Sequence, residues 1–423
     1  MAAAIVMIEN GQALKEALAS ARCGSLIRLA ADIRLMYESV SARPDARLTL
    51  DLNGYTLAIE RGRVDAALRV PAGATLAIED KRGGGRLTAT TGAAGASAIG
   101  AGPDGACGEI EIHGGTIRAC GGPDGAGIGG DSGATVTIHG GTVESTGGMY
   151  GAGIGGSKHS GGGDIIVRGG TLTIRGGDYA AGIGGGYAGD GGRISIYGGM
   201  LDVKTGYLGA AIGGGYRGGC GTITIHGGII VATAEAYRYL DLGVWSGAAI
   251  GSGVMGGGGS INIHGGMITA RGAAQAAALG GGTDASGAAV AIHGGEVVLS
   301  GAGGYRGTLI GAGAADARPP QPSGSLFNGG RLTLSGDGKL WIPPGERFVN
   351  EGVVSGTGYI GGEGRLVNRG IINTLYTGGL VYTLPLHGKE GPSIGGRVRN
   401  HETGRRCGRQ RECSPALGRL ARE

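Results

Sequence analysis

The chain has 423 residues, a net charge of +4 and 102 glycines, roughly three times the glycine share of an ordinary globular protein. Only 12 prolines are present and Ile, Val and Leu recur regularly, which excludes both collagen and a flexible linker. Nine Lys and Arg against four Glu fall after residue 388, so the remainder is nearly neutral; nucleic acid is excluded as a partner, and no apolar run is long enough to span a membrane.

Phe and Trp number two each, so a core must be built from aliphatic side chains and alanine. Cys23, Cys107, Cys120, Cys220, Cys407 and Cys413 form no CxxC pair, which leaves no zinc or redox signature and no cofactor. The opening MAAAIVMIENGQ lacks the charged-then-apolar order of a secretion signal.

In chain order, QALKEALASA at 12 to 21 predicts a helix with Leu14, Leu18 and Ala21 on one face, covering the open end of whatever follows. CGSLIRLAADIRL then turns to strand alternation, and Leu50 to Gly54 and Leu76 to Glu79 read as degenerate copies of a later unit. That unit is clearest in GTITIHGGIIVATA followed by an alanine and GIGGG. The residues preceding its Gly-Gly pair are His113, His139, Arg168, Tyr197, His226, His264 and His293, spaced by 26, 29, 29, 29, 38 and 29 residues.

Each unit holds three apolar bursts. The first alternates, as in Ile223 to His226, with both isoleucines on one face; the second follows Gly-Gly; the third is the bare AAGIGGG type. Three short strands with no room for a helix predict a right-handed parallel β-helix of about a dozen coils, each strand pairing with its copy one repeat on. Ile99, Ile128, Ile154, Ile183, Ile212, Ile250, Leu279 and Ile310 should then form one inward stack. The expected organisation is a cap at 1–35, a body of about 29-residue coils at 36–316, shorter coils at 317–387 and a basic, disordered tail at 388–423. In the shorter coils, FVNEG at 348 and LVNRG at 366 recur at 18 residues.

The helix and strand at 12 to 33, LTLDLNGYTL at 48 to 57, and the ITIHGG and AGIGGG repeats together resemble the pectin-lyase-like β-helix repeat proteins of bacterial cell surfaces. The resemblance implies an adhesin-like or carbohydrate-binding protein, extracellular or at the cell surface, with a polysaccharide or surface glycan as partner. A non-catalytic role is the leading expectation; a polysaccharide lyase or glycoside hydrolase is the runner-up, and a structural spacer within a larger surface protein a further alternative.

GxGxxG occurs at 125 to 130 and 151 to 156, but no helix follows it and it repeats with the coil, so it is not a dinucleotide site. Stacked coils would align His226, His264 and His293 about 5 Å apart, where they could trap a metal adventitiously; a capping ladder is the expected role, with no resident metal. Outward positions of the first strand run Glu111, Thr137, Ile166, Ser195, Thr224, Asn262 and Ala291, too irregular to match an ice lattice.

Tyr150 and Tyr179 precede their isoleucine by four residues, and Tyr187 and Tyr216 follow theirs by four, so two stacked pairs are expected. With Arg217, Tyr207 and Tyr305 these could offer flat faces to sugars. The long repeat inserts AEAYRYLDLGVWSG at 234 to 247, and this loop, carrying Tyr237, Arg238, Tyr239 and Trp245, is the expected principal binding element. For catalysis the only grouping of note is Asp202 and Asp241 with Arg238.

Overall fold

The computed structural model describes residues 5–103, 106–130, 134–239, 243–301, 308–313, 325–336 and 338–377, with short strands at 381–383 and 398–399. The tail at 388–423 otherwise lies outside the described residues. The chain winds into a right-handed parallel β-helix. One sheet has 15 strands, from Ile5–Ile8 to Val381–Thr383, each parallel to its neighbours. The second and third strands of every coil join in a 25-stranded sheet.

Fifteen strands exceed the dozen coils expected, and at roughly 4.8 Å per strand they make a rod about 67 Å long. The difference lies at the ends. Ile5 pairs with Leu26 and Leu26 with Thr49, while Phe348 pairs with Leu366 and Leu366 with Tyr382. These coils are shorter than the 29-residue unit, so its period does not reveal them.

The pairing follows the alternation in the sequence. In the first strand Ile110, Val136, Ile165, Ile194, Ile223 and Ile261 align coil on coil with no exposed surface. In the third, the run from Ile99 through Ile183 to Ile310 pairs in register as expected. Each fully buried Ile contributes roughly 1.5–3 kcal/mol, and the stacks repeat it at every coil.

The helix α1, Gly11–Ser20, is capped by the Asn10 side chain, which accepts from the Ala13 N–H at 3.0 Å. It buries Leu14, Ala17 and Leu18 against the first coil. Ala21 lies just past its last turn, so Ala17 completes the face expected of Ala21.

The third strand is the least ordinary element. In successive coils an alanine N–H reaches forward to the carbonyl four residues on: Ala152 to Gly156 (2.9 Å), Ala181 to Gly185 (2.9 Å) and Ala210 to Gly214 (2.8 Å). Each of these segments, AGIGG in the first two and AAIGG in the third, is therefore a tight bend around one inward isoleucine. The glycine after that isoleucine sits at positive φ in every coil, as at Gly155 (+129°), Gly184 (+133°) and Gly213 (+134°). A Cβ on Gly184 would overlap the Gly213 carbonyl of the next coil. The bareness is thus required twice, by the dihedral and by the close approach of stacked backbones.

Towards the C-terminal end the inward isoleucine of the first strand gives way to asparagine. Asn328 Nδ2 donates to Asn350 Oδ1 (2.7 Å) and Asn350 Nδ2 to Asn368 Oδ1 (2.8 Å), all three fully buried.

Burial separates the thiols. Cys220 is fully buried and burial pushes its pKa up to about 12, whereas Cys23 is exposed. Because the thiolate is the reactive form, iodoacetamide at mildly alkaline pH should label Cys23 in the folded protein and Cys220 only after denaturant is added. Mass spectrometry of tryptic peptides reads the outcome, and early labelling of Cys220 would contradict the packing around it.

Candidate ligand-binding surface

The tight third-strand bend brings the turn before each isoleucine beside the turn after it. The Tyr187 N–H donates to Tyr150 O and the Tyr216 N–H to Tyr179 O, both at 2.9 Å, linking the later turn of one coil to the earlier turn of the previous coil. Tyr150 stacks on Tyr179 (centroids 5.0 Å apart, 25° between planes) and Tyr187 lies tilted on Tyr216 (5.7 Å). The two expected pairs then meet edge to face. Tyr150 to Tyr187 is 5.5 Å, Tyr179 to Tyr187 is 6.0 Å and Tyr179 to Tyr216 is 5.9 Å, so four half-buried rings form one continuous aromatic patch.

Polar and cationic groups rim it. Lys158 Nζ stands 4.6 Å over the Tyr150 ring, the Arg217 guanidinium 5.3 Å over Tyr216, and the His159 ring 5.2 Å from Tyr187 at its edge. His159, Ala188, Arg217 and Met255 occupy equivalent places in four successive coils, all exposed and all left-handed at φ +57° to +65°. That conformation costs a non-glycine residue roughly 1–2 kcal/mol. Each is held by an inter-coil bond from its own N–H, such as Ala188 to Tyr216 O (2.8 Å) and Arg217 to Val254 O (2.7 Å). In a chain that places glycine at so many positive-φ positions, this row keeps side chains where glycine would be relaxed.

The 234–247 insertion carries an antiparallel hairpin, Tyr237–Tyr239 with Gly243–Trp245, in which Tyr237 faces Trp245. Tyr237 is exposed and its ring lies 5.2 Å from Tyr207. Arg238 is exposed. Asp241 and Tyr305 lie outside the described residues. Asp202 pairs in register with Thr173 and Val231, and its nearest cationic group is Lys204 Nζ at 4.0 Å.

The outward ladder stacks as expected. His226 to His264 is 5.2 Å and His264 to His293 is 4.8 Å, with planes within 10°; Tyr197 continues the stack below His226 at 4.5 Å. A second stack pairs His113 with His139 at 4.2 Å, and Glu111 Oε2 lies 3.0 Å from His113 Nε2. Glu111, His113 and His139 are the one group of three potential ligands that comes together among the described residues. Parallel rings send their in-plane lone pairs out side by side, whereas a chelate needs them to converge. Burial foremost, then His113 and Arg168, hold the His139 imidazole below the usual histidine pKa, favouring its neutral, stackable form.

Sequence reasoning missed an apolar stripe beside this ladder. Met200, Ile229 and Met267 are register neighbours that face outward and stay about half exposed. Strand alternation does predict their outward direction, and Met200 and Ile229 keep the 29-residue period, but the insertion stretches the interval from Ile229 to Met267 to 38 residues and obscures that those two adjoin.

A family model described as a β-helix repeat matches residues 110–133, 136–158, 165–187, 194–216 and 223–254, one segment per coil. These segments hold the whole tyrosine patch and the hairpin. No curated protein and no solved structure matches the chain. The chain is a parallel β-helix whose central coils match the β-helix repeat, and among its described residues no helix is long and apolar enough to cross a membrane.

Proposed function

We propose that this β-helix repeat protein is a non-catalytic, adhesin-like rod of the extracellular or cell-surface space that holds a polysaccharide or surface glycan against its tyrosine patch. The observation that carries this reading is the four-ring surface of Tyr150, Tyr179, Tyr187 and Tyr216, flanked by side chains kept in left-handed turns. Pyranose rings present flat C–H faces to aromatic rings, and Arg217, Lys158 and His159 supply polar partners for hydroxyls around them. Because the rings sit on stacked backbone, little conformational entropy is lost on binding. The hairpin at 237–245, through Tyr237 on Tyr207, extends the same function to a neighbouring coil.

Affinity electrophoresis through gels containing different polysaccharides tests the proposal. Wild type should be retarded by at least one of them, and Tyr187→Ala with Tyr216→Ala should weaken retention by roughly 10-fold or more, the scale of an aromatic hot spot. Tyr197→Ala, on the histidine ladder, should leave it unchanged. Equal losses in the two variants, or no retardation of wild type across a broad polymer panel, would remove the tyrosine patch as the binding surface.

A further inference from the structure

A concave site of about 380 Å³ opens on the first coils, far along the chain from the tyrosine patch, and is lined by Tyr37, Arg61, Arg63, Thr90 and Thr91. Tyr37 follows the second strand of its coil, Ile33–Met36. Arg61 lies at a bulge in the next second strand, where the register shifts between Ile59 and Gly62. Both residues are left-handed, Tyr37 at φ +61° and Arg61 at +59°, so this pocket also retains side chains where glycine would be relaxed.

The charge balance there is one-sided. The Arg61 guanidinium approaches the Tyr37 hydroxyl at 3.4 Å and that of Arg63 lies 4.4 Å over the same ring. Every nearby carboxylate in the chain is engaged elsewhere: Glu38 with Lys15, Glu60 with Arg34 at 2.8 Å, and Asp65 with Arg69 at 2.8 Å. Among the described residues neither Arg61 nor Arg63 has a carboxylate partner. Two guanidiniums against one ring repel each other, and an anion between them would convert that repulsion into attraction. The hydrogen bond from Arg61, with its charge, already pulls the Tyr37 phenol below its ordinary pKa. Thr90 Oγ1 accepts from the Arg61 N–H at 3.0 Å, leaving its hydroxyl proton free to donate.

We infer that this pocket is an anion-binding site for a sulfate or phosphate monoester. Donors reach it from the ring face (Arg63), the ring edge (Arg61 and the Tyr37 hydroxyl) and the strand (Thr90), an arrangement in three dimensions that suits a tetrahedral head better than a planar carboxylate. The inference is independent of the tyrosine patch, so either can fail alone.

Calorimetric titration of the full chain with inorganic sulfate and inorganic phosphate, at constant ionic strength, is the test, with acetate as the planar control. Sulfate or phosphate should bind, and Arg61→Gln with Arg63→Gln should weaken binding roughly 10- to 100-fold, the range for charge-assisted hydrogen bonds. Both arginines are exposed, so folding should be unaffected and circular dichroism checks it. Arg34→Gln, which removes a nearby charge already paired with Glu60, should leave the affinity unchanged. Galactose 6-sulfate and glucose 6-phosphate then distinguish which ester is preferred. No binding to wild type, acetate binding as tightly as sulfate, or an equal loss in Arg34→Gln would overturn the assignment.

Discussion

Gly184→Ala is expected to destabilise the rod by roughly 2–6 kcal/mol, combining the cost of a backbone region nearly reserved for glycine with that of overpacking. At φ +133° the added methyl has no relaxed position, and it would be driven into the carbonyl of Gly213, which cannot yield without breaking the pairing of Ile183 with Ile212. Gly83→Ala supplies the comparison. Gly83 has φ +82° but nothing within 4 Å of the added carbon, so only a left-handed penalty of about 1–2 kcal/mol remains. Guanidinium unfolding of the two variants separates dihedral strain from inter-coil contact. Equal losses would mean that the stacked backbones are looser than their geometry indicates.

The second large effect lies in the asparagine ladder. Asn350→Leu should cost roughly 2–5 kcal/mol, because it strands the Asn328 amide and one acceptor position of Asn368 in a fully buried site. Asn350 Nδ2 also lies 3.3 Å from the Ile371 carbonyl, and Asn328 Oδ1 accepts from the Gly330 N–H at 3.3 Å, so the ladder ties each strand end to its following turn. Replacing Asn328, Asn350 and Asn368 together with leucine removes the stranded partners along with the bonds. The triple variant should therefore lose less stability than the sum of the three single ones. Strict additivity in denaturant titrations would show that the three amides act separately.

How much of this was legible in the sequence differs from one ladder to the next. The third-strand isoleucines were readable because each sits in the same local setting, and identical settings imply identical places in a coil. The tyrosines were readable only as two pairs. Their merger depends on the bend from Ala181 N–H to Gly185 O, a hydrogen bond that residue spacing does not display. Asn350 and Asn368 showed their 18-residue repeat, but Asn328, 22 residues before Asn350, did not share that interval. The left-handed row from His159 to Met255 carries no mark in residue type, since Ala188 and Met255 are ordinary side chains in an unusual conformation. The long repeat pointed to the hairpin at 237–245 by its length, while the Arg61 and Arg63 pocket, set in degenerate early coils, gave no periodic cue.

Hydroxyl-radical footprinting tests the glycan-binding role proposed for the tyrosine patch, once a retained polysaccharide has been found. With that polymer bound, oxidation of Tyr150, Tyr179, Tyr187 and Tyr216 should fall together, while Tyr197 on the histidine ladder oxidises as it does in the free protein. Protection centred on Tyr197 and the Met200, Ile229 and Met267 stripe, with the four tyrosines unchanged, would contradict that role and move the binding surface to that other face of the rod.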